Sequence, residues 1–318
     1  MKRASLIGPR QSRVDNVPLP ALGENDVLVR VQMSGICASE LHTWEHGANR
    51  PLVLGHEVAG NVVAVGSAVA AFSVGDRVTG LFEAGFSDFA VAPAERVLRI
   101  PDAVEMDLAF GEPLACAMSA ARRTTVELGD RIAVVGMGFM GQLMTKLLAL
   151  RGAAEIVGID IREDARAAGL SAGCGLSLSP AEVTQRGLDK FDLVVEGTGT
   201  PEGLRSAGEL TREHGRLTIL GYHQGGDRSV DMQMWNYKAL EVVNGHERRV
   251  DYRMDCMRRA LDLMARGKLD LHGMASHTFS LSQVDDAFAA LASKPRGFVK
   301  AVVLGDSTLQ YSPEIPVF

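Results

Sequence analysis

Residues 131–148, RIAVVGMGFMGQLMTKLL, constrain the fold more than any other stretch of the chain. Ile132, Ala133, Val134 and Val135 make the continuous apolar run that a strand buried on both faces needs, while Leu143, Met144, Leu147 and Leu148 recur at helical spacing. Gly136, Gly138 and Gly141 lie between them. In a strand–turn–helix unit the first such glycine permits the tight turn, the second lets backbone approach a pyrophosphate, and the third allows close helix-to-strand packing. A lone GxGxxG is also an ordinary glycine turn, so context decides. A second apolar strand at 156–159 ends in Asp160, at the distance from which a carboxylate accepts hydrogen bonds from an adenosine ribose. That carboxylate would oppose a 2′-phosphate, which predicts NAD over NADP. Arg162 and Arg166, each equally readable as a solvated helix residue, keep NADP open.

The surrounding pattern supports two domains. The first third carries short β-type segments at 26–34, 57–65, 77–80 and 88–92, and the first of these alternates as a half-buried strand should. From about residue 128 strands and helices alternate, with strands expected at 131–135, 156–160, 175–178, 192–196, 216–220 and 240–245. Six strands with helical crossovers predict a doubly wound sheet. The remainder, with helices at 252–266 and 283–291 and strands at 277–280 and 299–303, lacks that pattern and is expected to return to the first domain. The boundaries expected are 1–114, 115–250 and 251–318; the tail 307–318 carries no motif and would pack on a neighbouring subunit or stay loose.

Composition excludes several classes. The 318 residues suffice for two buried cores, and a formal net charge of −6 argues against binding nucleic acid through a basic surface. No apolar stretch reaches membrane-spanning length, and the basic N-terminus is followed by no apolar signal region, so the expected compartment is the cytoplasm with no membrane partner. Cys37, Cys116, Cys174 and Cys256 are far apart, which favours metal ligation or plain burial over disulfides.

Thiol, imidazole, hydroxyl and carboxylate groups gather in Gly35-Ile36-Cys37-Ala38-Ser39-Glu40-Leu41-His42 and Gly55-His56-Glu57. Thiolate and imidazole are preferred zinc ligands, and a catalytic zinc keeps three protein ligands with one position open. Glu112, in Gly111-Glu112-Pro113-Leu114, is a candidate third. Taken singly, Cys37 reads equally as a small buried hydrophobe, His56 as a hydrogen-bonded core histidine and Glu112 as a solvated carboxylate.

Taken together, GICASELH, GHEVAG, GDRV (75–78), EPLAC (112–116) and GMGFMG with Asp160, in that order, resemble the zinc-dependent medium-chain dehydrogenase/reductase family of alcohol and polyol dehydrogenases. The resemblance spans nearly the whole chain and implies an α/β protein, a GroES-like β-rich catalytic domain plus a doubly wound Rossmann NAD-binding domain. It implies Cys37, His56 and Glu112 as zinc ligands, with Glu57 beside the metal as a supporting group or exchangeable ligand. Glu at 112 resembles the polyol branch. Ser39 would sit by the substrate hydroxyl and His42 further out in a proton relay through the cofactor ribose. Cofactor contacts are expected from Gly136, Gly138, Phe139, Met140, Gly141, Asp160, Thr198, Gly199, Gly221 and Tyr222, with Lys300 reaching the pyrophosphate or lying as a surface lysine. Trp44, in a segment similar to the YYEHG stretch of sorbitol-like dehydrogenases, and His246 would line a pocket suited to a polyhydroxylated secondary alcohol. The arginines at 248, 249, 253, 258 and 259 read best as a solvated helix face.

Departures from the family pattern carry their own expectations. Ala38 and Glu40 stand where Gly and Asp are usual, so any bond from Glu40 to His56 would need a longer reach. The family's four-cysteine lobe after GDRV is missing, and one zinc per chain is expected, with no structural zinc. An apolar edge at 240–243 would pair across a two-fold axis, giving a homodimer or homotetramer. The function implied is hydride transfer between NAD and a sugar alcohol, cyclitol or amino-cyclitol. Two alternatives stand: a zinc-free quinone or enone reductase of the same superfamily, against which the three ligand-type residues speak, and a non-catalytic NADH-binding protein.

Overall fold

The computed structural model describes residues 1–306, 308, 309 and 311, so most of the tail 307–318 lies outside the described residues. The chain divides into two compact units, Met1–Ala115 with Met254–Phe318, and Cys116–Arg253. No helix among the described residues is long and apolar enough to cross a membrane.

The first unit opens with an antiparallel hairpin, β1 (Lys2–Gly8) and β2 (Gln11–Asn16), whose turn places Arg10 at φ 55°. Next come β3 (Asp26–Gly35), α1 (Ala38–His46), β4 (Glu57–Val65), β5 (Arg77–Gly80), β6 (Phe89–Pro93), β7 (Val97–Arg99) and α2 (Gly111–Arg123). The alternation of β3 predicts one wet face, but the strand is covered on both. Val27, Val29 and Val31 enter one cluster with Val58, Val62 and Val78, while Leu28 packs with Leu19 and Phe89. Its neighbours explain this, because β3 pairs antiparallel with β4 and β6 and sits centrally in its sheet. After β5 the chain reaches β6 through residues 81–88 alone, where Leu81, Phe82 and Phe86 are buried.

The second unit is a six-stranded sheet with parallel pairing throughout. Its elements are β8 (Arg131–Val135), α3 (Phe139–Ala149), β9 (Glu155–Ile159), α4 (Glu163–Ala172), β10 (Leu176–Leu178), α5 (Pro180–Gln185), β11 (Phe191–Glu196), α6 (Pro201–Leu210), β12 (Thr211–Ile219), α7 (Met232–Tyr237) and β13 (Glu241–Asn244). The strand order β10-β9-β8-β11-β12-β13 places the first and fourth strands of the unit side by side. That is the doubly wound Rossmann order, whose ligand crevice opens beyond the carboxyl ends of those two strands. Val135, Val157, Val194 and Leu217 are fully or nearly fully buried between helices, as an all-parallel sheet requires.

The chain then returns through α8 (Val250–Ala265), β14 (Ala275–Ser280), α9 (Val284–Ser293) and β15 (Lys300–Leu304), and β15 joins the first unit's sheet antiparallel to β3. Phe288 of α9 stacks on Trp44 of α1 with centroids 5.5 Å apart and meets Phe86 edge-on at 5.8 Å. Such pairs each contribute about 0.5–1.5 kcal/mol beyond area burial and fix α1 against the returning segment.

Candidate metal centre and dinucleotide site

Strand register gathers the donor groups of the first unit. Gly35, the last residue of β3, lies opposite Glu57, the first of β4, and opposite Val302 of β15. Cys37 follows as the N-cap of α1, and His56 immediately precedes β4. One Cys37, His56 and Glu57 ligand atom each therefore lie within 4.8 Å of one another, the single such group among the described residues. Glu112 enters from the first turn of α2, with its Oε2 4.0 Å from His56 Nε2. That helix start is pinned by Thr79, which accepts from Gly111 N at 3.2 Å and donates to Val58 O at 2.8 Å. Nothing in the sequence distinguishes Thr79 from any other strand threonine.

The longer Glu40 does reach His56. Its Oε1 lies 3.0 Å from His56 Nδ1 and accepts from Gly55 N at 2.7 Å, leaving Nε2 turned to the donor cluster. A carboxylate on the far nitrogen fixes ring orientation and tautomer in metal-binding histidines. Ser39 Oγ donates to Cys37 Sγ at 3.2 Å and is half-buried. His42, three residues on along α1, is exposed, with its ring centroid 4.2 Å from that of His46.

The cluster is arranged around positive charge. Burial opposes protonation of His56, yet hydrogen bonds to Cys37 and Glu40 and the charge of both raise its pKa to about 12. Lys300 follows the same logic: burial pushes it down, but Glu57, Cys37 and Glu112 outweigh that and hold the ammonium above its usual range. Both Glu57 oxygens lie 2.7 Å from Lys300 Nζ, and only Oε1 has hydrogen-bond geometry. Gly35 makes room for the pair, since a Cβ there would collide with Glu57 Oε2 and press on Lys300 Cε at 3.1 Å. A set of one thiol, one imidazole and two carboxylates, Glu57 buried and the other three half-buried, that draws protons and ammonium to itself fits a divalent cation, and the thiol and imidazole select zinc.

The dinucleotide features assemble separately in the second unit. Gly136 has φ 96°, and a Cβ on it would meet Thr198 Cγ2 at 2.8 Å. A Cβ on Gly141 would run into the carbonyl of Gly136. Gly138 differs, because no atom lies within 4 Å of its Cβ position and its φ is −72°, open to any residue. Packing does not require that glycine, whereas a phosphate at the N-terminus of α3, beside Phe139 and Met140, would. The two substitutions therefore predict opposite readouts. Gly141→Ala is expected to lower stability by about 1–3 kcal/mol in denaturant unfolding despite its gain in helix propensity. Gly138→Ala should leave stability within about 0.5 kcal/mol of wild type while weakening NADH binding about tenfold or more. Equal stability losses, or unchanged NADH affinity at 138, would contradict this division.

Asp160 follows β9, accepting from Met137 N through Oδ2 at 2.8 Å and from Arg162 N through Oδ1 at 2.9 Å. Arg162 reaches Asp164 at 3.2 Å, and Arg166 donates to the carbonyls of Asp160 and Ile161. Thr198 and Gly199 follow β11, and Gly221 and Tyr222 follow β12. The two turns touch, for a Cβ on Gly199 would lie 2.9 Å from Tyr222 O. His246, just after β13, is half-buried, with Nε2 3.3 Å from Gly221 O and its ring edge-on to Tyr222.

Two residues stand elsewhere than sequence alone places them. Trp44, read as a pocket wall, is 4% exposed in the core, and its indole N–H donates to Asp285 Oδ1 at 2.8 Å. Lys300, read as a cofactor contact or a surface lysine, is buried in the first unit against Glu57. Of the arginines, Arg249 pairs with Glu247, Arg258 with Asp255 and Asp262, and Arg259 with Asp255.

Comparison with known proteins agrees with this architecture. The family "Alcohol dehydrogenase GroES-like domain" matches residues 23–102 and "Zinc-binding dehydrogenase" matches residues 140–266. Sorbitol dehydrogenase of Rattus norvegicus is 28% identical, covering 88% of this chain and 90% of its own. That of Macaca fascicularis is 29% identical, with 90% and 92% covered. Among solved structures, 2R,3R-butanediol dehydrogenase from Bacillus subtilis superposes with a TM-score of 0.83 at 25% identity, covering 96% of this chain and 99% of the other. A structure from Sinorhizobium meliloti 1021 described as a zinc-binding dehydrogenase bound to NADP gives 0.84 at 25% identity, with 95% and 98% covered. The chain belongs to the zinc-dependent medium-chain dehydrogenase/reductase family. Within it the protein is an enzyme of the alcohol and polyol dehydrogenase type.

Proposed function

We propose that the protein interconverts a polyol-like secondary alcohol, such as a sugar alcohol, cyclitol or amino-cyclitol, and its ketone, using one catalytic zinc per chain and NAD. The observation that carries the reading is the convergence of Cys37, His56 and Glu57, with Glu112 Oε2 4.0 Å from His56 Nε2. Cys37, His56 and Glu112 would hold the metal, with Glu57, paired to Lys300, as the exchangeable carboxylate. Zinc supplies the Lewis acidity that makes a substrate hydroxyl acidic, and NAD supplies the hydride acceptor. Ser39 takes the hydroxyl proton, and His42, one turn along the same helix face, passes it outward. The absence of the four-cysteine lobe supports a single zinc. Relatives named for sorbitol and butanediol support the substrate class.

The choice of NAD rests on Asp160. Arg162 reaches Asp164 and Arg166 donates to the carbonyls of Asp160 and Ile161, while a 2′-phosphate would meet the Asp160 carboxylate. Asp160→Ala is expected to lower the NAD-to-NADP ratio of kcat/KM by about tenfold or more. A wild-type enzyme that prefers NADP would contradict the assignment. Fold alone supports a homodimer or homotetramer: β13 is an edge strand with Val242 40% exposed, a surface that two copies can share across a two-fold axis. Screening NAD reduction against sugars, cyclitols, amino-cyclitols and simple alcohols tests the substrate class. Turnover confined to simple primary alcohols would reject it.

A further inference from the structure

The geometry points to His223 as a positioning residue for the cofactor, acting through the buried carboxylate of Glu196; this rests on the proposed cofactor role of the turns after β11 and β12. Glu196 ends β11, opposite Val135, whose next residue is the first glycine of the fingerprint. Its side chain is fully buried, and its Oε1 gathers the following turn, accepting from Thr198 N at 2.7 Å, Thr198 Oγ1 at 2.5 Å and Gly199 N at 2.9 Å. Its backbone carbonyl accepts from Leu220 N and Gly221 N, so one residue ties both turns. The other oxygen, Oε2, meets His223 Nε2 at 3.0 Å.

Arg228 sets the tautomer of that histidine. Its Nε donates to His223 Nδ1 at 3.3 Å, and its terminal nitrogens donate to the carbonyls of Gly226, Asp227 and Gln224. Gly225 and Gly226, at φ 77° and 111°, let residues 224–227 wrap around the guanidinium. A guanidinium only donates, so Nδ1 is the acceptor and the imidazole proton sits on Nε2, aimed at Glu196. The turn thus held is the one that abuts Gly136, through Thr198 Cγ2. Removing the His223 donor leaves a buried anionic oxygen without its partner, a carboxylate that then turns toward water and releases Thr198 and Gly199. The segment after β12 and the glycine fingerprint are in this way one cofactor-shaping unit.

The test compares His223→Leu with His223→Gln, whose amide N–H restores a donor to Glu196, by NADH fluorescence titration and by steady-state kinetics. The leucine variant is expected to bind NADH about tenfold more weakly and to raise the KM for NAD by a similar factor, with the KM for alcohol unchanged; the glutamine variant should recover to within about threefold. Arg228→Met, which leaves Glu196 and His223 in place, should weaken NADH binding in the same direction and supplies the reading if the leucine variant does not fold. Wild-type affinity in the leucine or Arg228 variant, or a glutamine variant as weak as leucine, overturns the role of His223. Wild-type protein that does not bind NADH rejects the underlying cofactor reading instead.

Discussion

Cys37→Ala is expected to lose both bound zinc and turnover, the latter by on the order of 10³-fold or more, because metal polarisation of the alcohol contributes several kcal/mol to the transition state. The structure makes the loss hard to compensate. Cys37 is the one sulfur within the donor group, and it also bonds His56 and Ser39, so its removal unties the imidazole and the hydroxyl together. Metal analysis of purified variant protein, alongside NAD reduction with the best polyol, checks both halves. A variant that retains zinc and wild-type turnover would remove Cys37 from the centre.

Ser39→Ala carries the second-largest expected effect, a fall in turnover of about 10²–10⁴-fold with zinc content and NADH affinity retained, as for loss of a positioned proton acceptor. The hydroxyl sits 3.2 Å from Cys37 Sγ on the first turn of α1 and is half-buried, so alanine should fold normally. A loss confined to the KM for alcohol would mean that Ser39 only binds substrate, and the proton route would have to begin elsewhere.

What could be read in the chain beforehand was local or carried by motif order. The buried run 132–135, the glycines and the carboxylate at 160 define their own strand–turn–helix geometry, and the structure has them in the Rossmann order. Cys37 follows β3 and His56 precedes β4, so their meeting follows from the antiparallel register of those two strands. Lys300 is different. It lies 243 residues from Glu57, and only the return of β15 against β3 brings the charges together, a pairing that no local pattern announces. The resemblance of the Trp44 segment to a pocket-lining stretch does not carry over to this ring, because Phe288, contributed by the distant α9, claims it for the core. The N-terminal hairpin turns at Gly8-Pro9-Arg10, with Arg10 rather than a glycine at positive φ. β12 starts at Thr211, earlier than apolarity alone suggests, since the polar residues 212–214 interrupt its pattern and the β11–β12 register shifts there.

Metal removal tests the central claim most directly. Purified protein should contain about one zinc per chain; dialysis against a chelator should abolish polyol-dependent NAD reduction while NADH binding persists, and stoichiometric zinc should restore it. Full turnover in protein shown to be metal-free would contradict the account.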